Sequence, residues 1–540
     1  MARSRTCAVA ILLALAAVLP AGQATRGAGP TRGGTAIDAI AADPDSLMPN
    51  ASAGAVALQV ERTIFAPLFY TDGAGTLQPG LATTIPTLQN GGISRDGLAY
   101  TFHLRPGLKW SDGQPLDARD VDFSWKTWTD DGFLAYSTAG FDQIKSTTVS
   151  TDSLSITFHL SAPYAPFISA WTDQVFPLPR HILAGLPAAQ IASGPFAFEP
   201  SVGSGPFVIA ARKPADEIVE VRNPYYYQAG KPYLDRLVFK VMPDPAAVDT
   251  ALQNSAIDSA WSLNPDHADL SHSIDGYTWI AGAAPAVEQG LLNLKNPALA
   301  DVRVRQALEY GLDRAAMARD VWHNQVPLLG SDQPPVLFSF DPAVRPYPFE
   351  PSTAARLLGA AGWTLGADGY RHKNGRRLSL NWSTTGDFWR VRDAVIAQQN
   401  YTALGIDLRI ILYPAATFFN QILPAGDYDI AEFTNGFAYD PDPTILSAFG
   451  SAQSPPRGLN WGHYANPAYD RLIRAEESTP DPARRMATFA QMQETMNRDL
   501  PALWLYAPPI LSIHRDTLHD YLPAPFSGET WNAQDWWKGQ

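Results

Sequence analysis

The chain has 540 residues, 46% hydrophobic and 17% charged, with 40 Lys and Arg against 53 Asp and Glu for a net charge of −13. That length exceeds what one hydrophobic core organises and implies about three to four domains. The composition excludes a mainly disordered chain. An acidic chain with no basic run lacks the clustered cations that nucleic-acid phosphates require. A single cysteine excludes a disulfide scaffold and a thiolate zinc site.

Arg3 and Arg5 precede an apolar run from Ala8 to Leu19 that is too short to span a bilayer and is broken by Pro20. Ala21 to Ala24 supplies the small residues a signal peptidase needs, which predicts a signal peptide over residues 1–24. Cleavage there removes Cys7, the only thiol. Cys7 precedes the apolar run instead of following it, so no lipid anchor is expected. No later segment is a continuous apolar run long enough for a membrane span. A soluble, periplasmic product is predicted.

Residues 25–34 are rich in Gly, Thr and Arg and read as a frayed linker. Tyr100, Phe102 and Leu104 alternate with polar residues, and so do Ile156, Phe158 and Leu160, each the period of a half-buried strand. Thr-Phe-His-Leu stands at both 101–104 and 157–160, which predicts two strands of one antiparallel sheet. His103 and His159 then read as solvated strand positions. Between these strands Val121, Trp125 and Trp128 lie at helical spacing, with Asp117 as the N-cap and Asp120 three residues on.

Val304, Leu308 and Leu312 form a helical stripe behind Asp301. A helix is predicted from about Thr353 to Ala361, stopped at Gly362, and another from Val395 to Leu404, stopped at Gly405. Ile406, Leu408, Ile410 and Leu412 alternate as a strand. Asn466-Pro467 and Asp481-Pro482 each read as a cap followed by proline at the first helical position. Phe489, Met492 and Met496 form a core stripe on the last helix. The mixture of strands and helices argues for α/β lobes.

No catalytic constellation emerges. The chain lacks His-Glu-x-x-His, Gly-x-Ser-x-Gly, the phosphate-binding Gly-x-x-x-x-Gly-Lys and Gly-x-Gly-x-x-Gly, so no cofactor and no metal are expected. Gly203-Ser204-Gly205-Pro206 reads as a tight structural turn. Asp440 and Asp442 alternate with prolines. Carboxylates that close in sequence point along one loop and do not flank a sugar, so they read as a proline-stiffened ligand loop or a plain structural loop. Trp171, Trp261 and Trp504 stand in irregular or strand-end contexts and are candidate ligand contacts, because exported binders hold solutes on aromatic faces.

The run from Tyr100 to Ser124 (Tyr-Thr-Phe-His-Leu-Arg-Pro-Gly-Leu-Lys-Trp-Ser-Asp-Gly-Gln-Pro-Leu-Asp-Ala-Arg-Asp-Val-Asp-Phe-Ser) closely resembles the signature of family 5 extracellular solute-binding proteins. These are the peptide- and nickel-type binding components of ABC importers. Four further stretches agree in order. They are Gly34 to Pro49, Gly203 to Phe207 with Arg222 to Tyr226, Asp301 to Arg314, and Gly426 to Asp429 through Asp440 to Pro443.

The resemblance implies a two-lobed clamshell of the class II periplasmic-binding type with an extra small domain, three domains in total. Domain I would comprise residues 25–64, 197–286 and 509–540, domain II residues 65–196, and domain III residues 287–508. Segments near Val287 to Asn293 and Leu503 to Ile510 would be the hinge strands. The implied function is capture of a peptide-like or other small solute and delivery to an ABC permease, by a monomer and without chemistry on the ligand. ATP hydrolysis would belong to the partner subunits.

Peptide binders of this family hold the ligand's amino group with an aspartate just before the Asp-Pro loop. Here that position is Tyr439, or Ala438 with one insertion, leaving Asp440 as a substitute. That departure favours a blocked peptide, an opine or an oligosaccharide over an ordinary peptide. The expected site is Trp171, Trp261, Phe437, Tyr439, Asp440, Asp442 and Trp504. The rival reading is an exported carbohydrate-active hydrolase, suggested by the tryptophans and acidic loops.

Overall fold

A computed structural model describes residues 29–52, 54–172, 175–263, 274–456 and 458–539. The signal peptide and cleavage point expected from the sequence lie outside the described residues.

The first lobe is built on a seven-stranded mixed sheet. Its order is Tyr277–Ala283, Pro509–Arg515, Ser259–Trp261, Thr35–Ile40, Arg236–Val241, Glu217–Arg222 and Phe207–Lys213. Thr35–Ile40 is central and runs parallel to both neighbours, pairing Asp38 with Ser259 and with Phe239. Residues 31–34 are pinned rather than frayed. Thr31 Oγ1 donates to the Lys538 carbonyl at 2.8 Å, and Gly33 N–H donates to the Tyr233 carbonyl at 2.9 Å.

A small three-stranded sheet carries the extra domain, with Ser155–Leu160 between Ala99–His103 and Ile144–Val149. The repeated Thr-Phe-His-Leu strands are antiparallel neighbours, with Thr101 opposite Thr157 and their hydroxyls 2.9 Å apart. The helix Ala118–Trp128 has the expected capping box: Asp117 accepts from Arg119 N–H, and Asp120 accepts from Asp117 N–H, both at 2.9 Å. His159 meets Thr148 Oγ1 at 3.3 Å, and His103 is exposed.

One apolar cluster runs from Ile40 and Val60 of the first lobe through Phe102, Phe158 and Trp171 of the small sheet. The small domain therefore shares the core of the first lobe. Gly203 and Gly205 make part of that join possible. A Cβ on either would lie 2.3 to 2.4 Å from the carbonyls of Ile64 and Thr63, so only glycine permits this backbone approach. Ser204 Oγ accepts from Ala66 N–H at 2.9 Å, a structural turn as its sequence implied.

The second lobe is a five-stranded sheet ordered Asp407–Tyr413, Ser379–Thr385, Ile430–Gly436, Ala286–Leu292 and Ala502–Tyr506. Every residue of Ala286–Leu292 is buried, because helices cover both faces and each face has its own apolar cluster. Helices start at the caps Asp301, Asn466 and Asp481. The helix expected at 353–361 spans Pro351–Ala360, since Pro351 suits the first helical position. The one expected at 395–404 begins earlier, at Phe388–Ala403. Gly362 and Gly405 close these two helices in left-handed conformations, φ +90° and +80°.

The chain crosses between lobes twice. It passes from Tyr277–Ala283 to Ala286–Leu292, and returns from Ala502–Tyr506 to Pro509–Arg515. The crossings run side by side: Ala283 pairs with Pro509 below them and Glu288 with Tyr506 above. Two adjacent short links between rigid sheets make a hinge.

Candidate functional site

A cleft of about 1350 Å³ opens between the lobes beside these links. Its wall draws on the first lobe (Arg62, Trp261, Phe526), the small domain (Tyr136, Tyr164, Ser169) and the second lobe (Gln289, Trp322, Phe433, Phe437, Tyr439, Trp461). Ala284, Pro285 and Pro508 of the hinge links form part of it.

Of the residues expected from sequence, Trp261, Phe437 and Tyr439 stand on this wall. Trp261 ends a strand of the first lobe, while Phe437 and Tyr439 follow the second-lobe strand Ile430–Gly436. Tyr439 packs on Phe338 with ring centroids 5.4 Å apart and meets Phe526 of the opposite lobe edge-on at 5.7 Å. A second contact joins the lobes: Asp440 N–H donates to Ser169 Oγ of the small domain at 3.2 Å.

Four expectations are corrected. Trp171 is fully buried in the small domain, with ring centroids 5.0 Å from both Phe141 and Phe158. Trp504 is fully buried in the second lobe against Phe449 at 5.9 Å, and its indole N–H donates to the Met496 carbonyl at 3.4 Å. Both are core residues, because apolar neighbours enclose every face of the ring. Asp440 lies behind the wall, where Arg485 grips its carboxylate through two bonds of 2.5 and 2.8 Å. It is not free to hold a ligand's ammonium. Asp442 is 1% exposed and opens the helix Asp442–Phe449 instead of a loop.

Arg485 also donates to Glu476 at 2.8 Å. Asp442 faces Glu476; burial and then that neighbouring carboxyl hold Asp442 well above the usual carboxylate range. Burial likewise raises Glu476 and, with the charges of Asp442 and Asp440, the phenol of Tyr164 on the small domain. These two aspartates thus form a buried structural network, and among the described residues Asp387 is the one carboxylate on the cleft wall.

Arg62, Gln289, Trp322, Trp389, Phe419, Phe433, Trp461 and Phe526 also line the cleft and were not singled out from sequence. Phe433 alternates along its strand as any core residue does. Trp389 sits in the first turn of a helix whose facing depends on the lobe beneath it. Only the Phe418-Phe419 pair, with one ring buried and one exposed, carried a local sign of a surface aromatic.

Within the second lobe, under the cleft wall, Arg390 donates to Glu288 at 2.8 Å, to Asp387 at 2.6 Å and to Thr434 Oγ1 at 2.8 Å. Glu432 and Asp393 complete this buried group. Burial raises both, Asp393 to about 7. No group of three or more His, Cys, Asp or Glu side chains among the described residues has metal-holding geometry. No helix among them is long and apolar enough to cross a membrane.

A family model described as bacterial extracellular solute-binding proteins, family 5 Middle, matches residues 76–456. The oligopeptide-binding protein AppA of Bacillus subtilis is 25% identical over 512 residues, covering 94% of this chain and 92% of that protein. The di/tripeptide-binding protein 2 of Pseudomonas aeruginosa is 27% identical over 478 residues, covering 83% of this chain and 86% of that protein. The solved structure of the ABC transporter substrate-binding protein CtaP from Listeria monocytogenes superposes with a TM-score of 0.83 at 23% identity, covering 94% of this chain and all of that one.

Proposed function

The chain belongs to family 5 of the bacterial extracellular solute-binding proteins, and from that premise we propose that it is the periplasmic receptor of an ABC importer. It captures a peptide-like or other small solute between its lobes and hands it to a membrane permease unaltered. The observation that carries this reading is the cleft itself: about 1350 Å³, walled by both lobes, beside two short crossings of the chain. A solute touching both lobes favours the closed arrangement, because only that arrangement makes both sets of contacts. Tyr439 against Phe526 and Asp440 N–H on Ser169 are contacts that exist only when the lobes are together. No step of the cycle requires bond chemistry. Asp440 and Asp442, in one of the acidic loops, are buried and are not on the cleft wall.

The test is ligand-dependent thermal stabilisation of the mature chain against a panel of peptides and other small solutes. Stabilisation should grow with the logarithm of ligand concentration above the dissociation constant. Mass spectrometry should recover the ligand chemically unchanged. Turnover of a bound solute, or a melting temperature that no member of the panel moves, refutes the reading.

A further inference from the structure

Among the described residues the cleft wall carries two charged side chains, Arg62 on the first lobe and Asp387 on the second. Asp387 precedes the helix Phe388–Ala403 but makes no capping bond with its side chain. Its Oδ2 accepts from the Thr385 hydroxyl and from Arg390, the latter at 2.6 Å. Its Oδ1 meets no donor among the described residues, and the side chain is 38% exposed. The carboxylate is thus fixed through one oxygen while the group keeps accessible surface on the cleft wall.

Arg390 does not neutralise it. The same guanidinium binds Glu288 at 2.8 Å, a fully buried carboxylate on the strand that leaves the hinge, so two carboxylates share one cation. Arg390 is held in that position by a further bond to Thr434 Oγ1 at 2.8 Å. Glu432 and Asp393 belong to the same buried group and can only add negative charge to it. Arg62 stands on the opposite lobe and donates to the Phe526 carbonyl at 3.3 Å. The second-lobe group therefore carries an excess of negative charge, and Asp387 is its one charged member on the wall. Closing the lobes withdraws water from that carboxylate, which costs free energy unless a positive group replaces the water.

We propose that Asp387 is the contact for a cationic group of the solute, an ammonium or a guanidinium. This rests on the receptor reading above and deepens it. The contact stands before a helix of the second lobe, well apart in sequence from position 439, where the peptide binders' aspartate was expected and Tyr439 is found. The loss of an acid at that position therefore does not make the cleft a neutral one.

The experiment titrates four probe sets into the mature chain. They are a tetrapeptide library with free amino termini and no Lys or Arg, the same library acetylated, an acetylated library containing Lys or Arg, and linear polyamines with their acetylated forms. Retention is read by native mass spectrometry and affinity by calorimetry. A cationic member should bind more tightly than its uncharged counterpart by about tenfold or more. The arm that contains it distinguishes a terminal ammonium, a side-chain cation and a polyamine. Equal or tighter binding of the uncharged form overturns the inference and leaves the receptor reading standing. No binding in any arm overturns the inference and counts against the receptor reading as well.

Asp387→Asn keeps the shape and removes the charge, and should abolish the preference for the cationic member. Asp387→Glu keeps the charge and should retain most of it. The preference is a ratio measured within each variant, so a loss of stability shared by both ligands cancels. An undiminished preference in Asp387→Asn means that the cation is met elsewhere and overturns the inference.

Discussion

The ring of Tyr439 in the second lobe meets that of Phe526 in the first edge-on, with centroids 5.7 Å apart. The two residues come from segments that follow opposite crossings of the hinge, and each also lines the cleft. A ring pair of this geometry is favourable by about 0.5–1.5 kcal/mol beyond the area it buries.

Phe526→Ala should therefore shift the lobes toward the open form. Ligand affinity is expected to fall roughly three- to tenfold, the equivalent of that ring-pair energy. Small-angle scattering should show a larger radius of gyration for the unliganded variant. An unchanged radius and affinity would show that the contact does not bias closure.

Asp440→Ala removes one partner of a buried ion pair and leaves Arg485 with Glu476 alone. Breaking such a pair from one side typically destabilises by about 3–5 kcal/mol. Urea unfolding should show a markedly lower midpoint, so lost binding in this variant reports on the fold. A midpoint within error of the parent would contradict the buried network.

Trp171→Ala and Trp261→Ala should separate core from site. Trp171 lies in a closed aromatic cluster, and its truncation should destabilise by about 3–5 kcal/mol. Trp261→Ala should weaken ligand by about 1 kcal/mol of stacking while the melting temperature holds. Calorimetry alongside thermal unfolding of both variants decides this. Equal loss of stability in the two would place Trp261 in the core.

Stability should decline from mildly acidic to mildly alkaline pH. Burial raises Glu61 and Glu220 to about 8, and Glu309, Asp332 and Glu529 to about 7. Each holds its proton more tightly folded than unfolded. The contribution is fully present below the ordinary carboxylate values near 4 and is lost as pH rises through about 7 to 8. Scanning calorimetry should find a melting temperature several degrees higher at pH 5 than at pH 8. The reverse order would mean that these carboxyls are ionised in the folded chain.

Much of the architecture was legible because its signals are local. The capping box at Asp117 and Asp120, the proline starts after Asn466 and Asp481, and the glycine stops at Gly362 and Gly405 depend on residues within one turn. Alternation identified two strands, and their repeated Thr-Phe-His-Leu identified them as partners of one sheet. The site was legible only in part. Four of its aromatic and acidic candidates, Trp171, Trp504, Asp440 and Asp442, have the right chemistry and lie behind the wall.

Periodicity and caps were enough for α/β lobes, and ordered motifs for the family, because each is carried by neighbours along the chain. Tertiary packing alone decided which aromatic faces the cleft and which acid meets an arginine. Trp504 and Trp261 are equivalent as strings of letters. One is enclosed by Phe449 and the last long helix, the other stands at an open edge between lobes, and that difference is made by segments far apart in sequence folding onto each other.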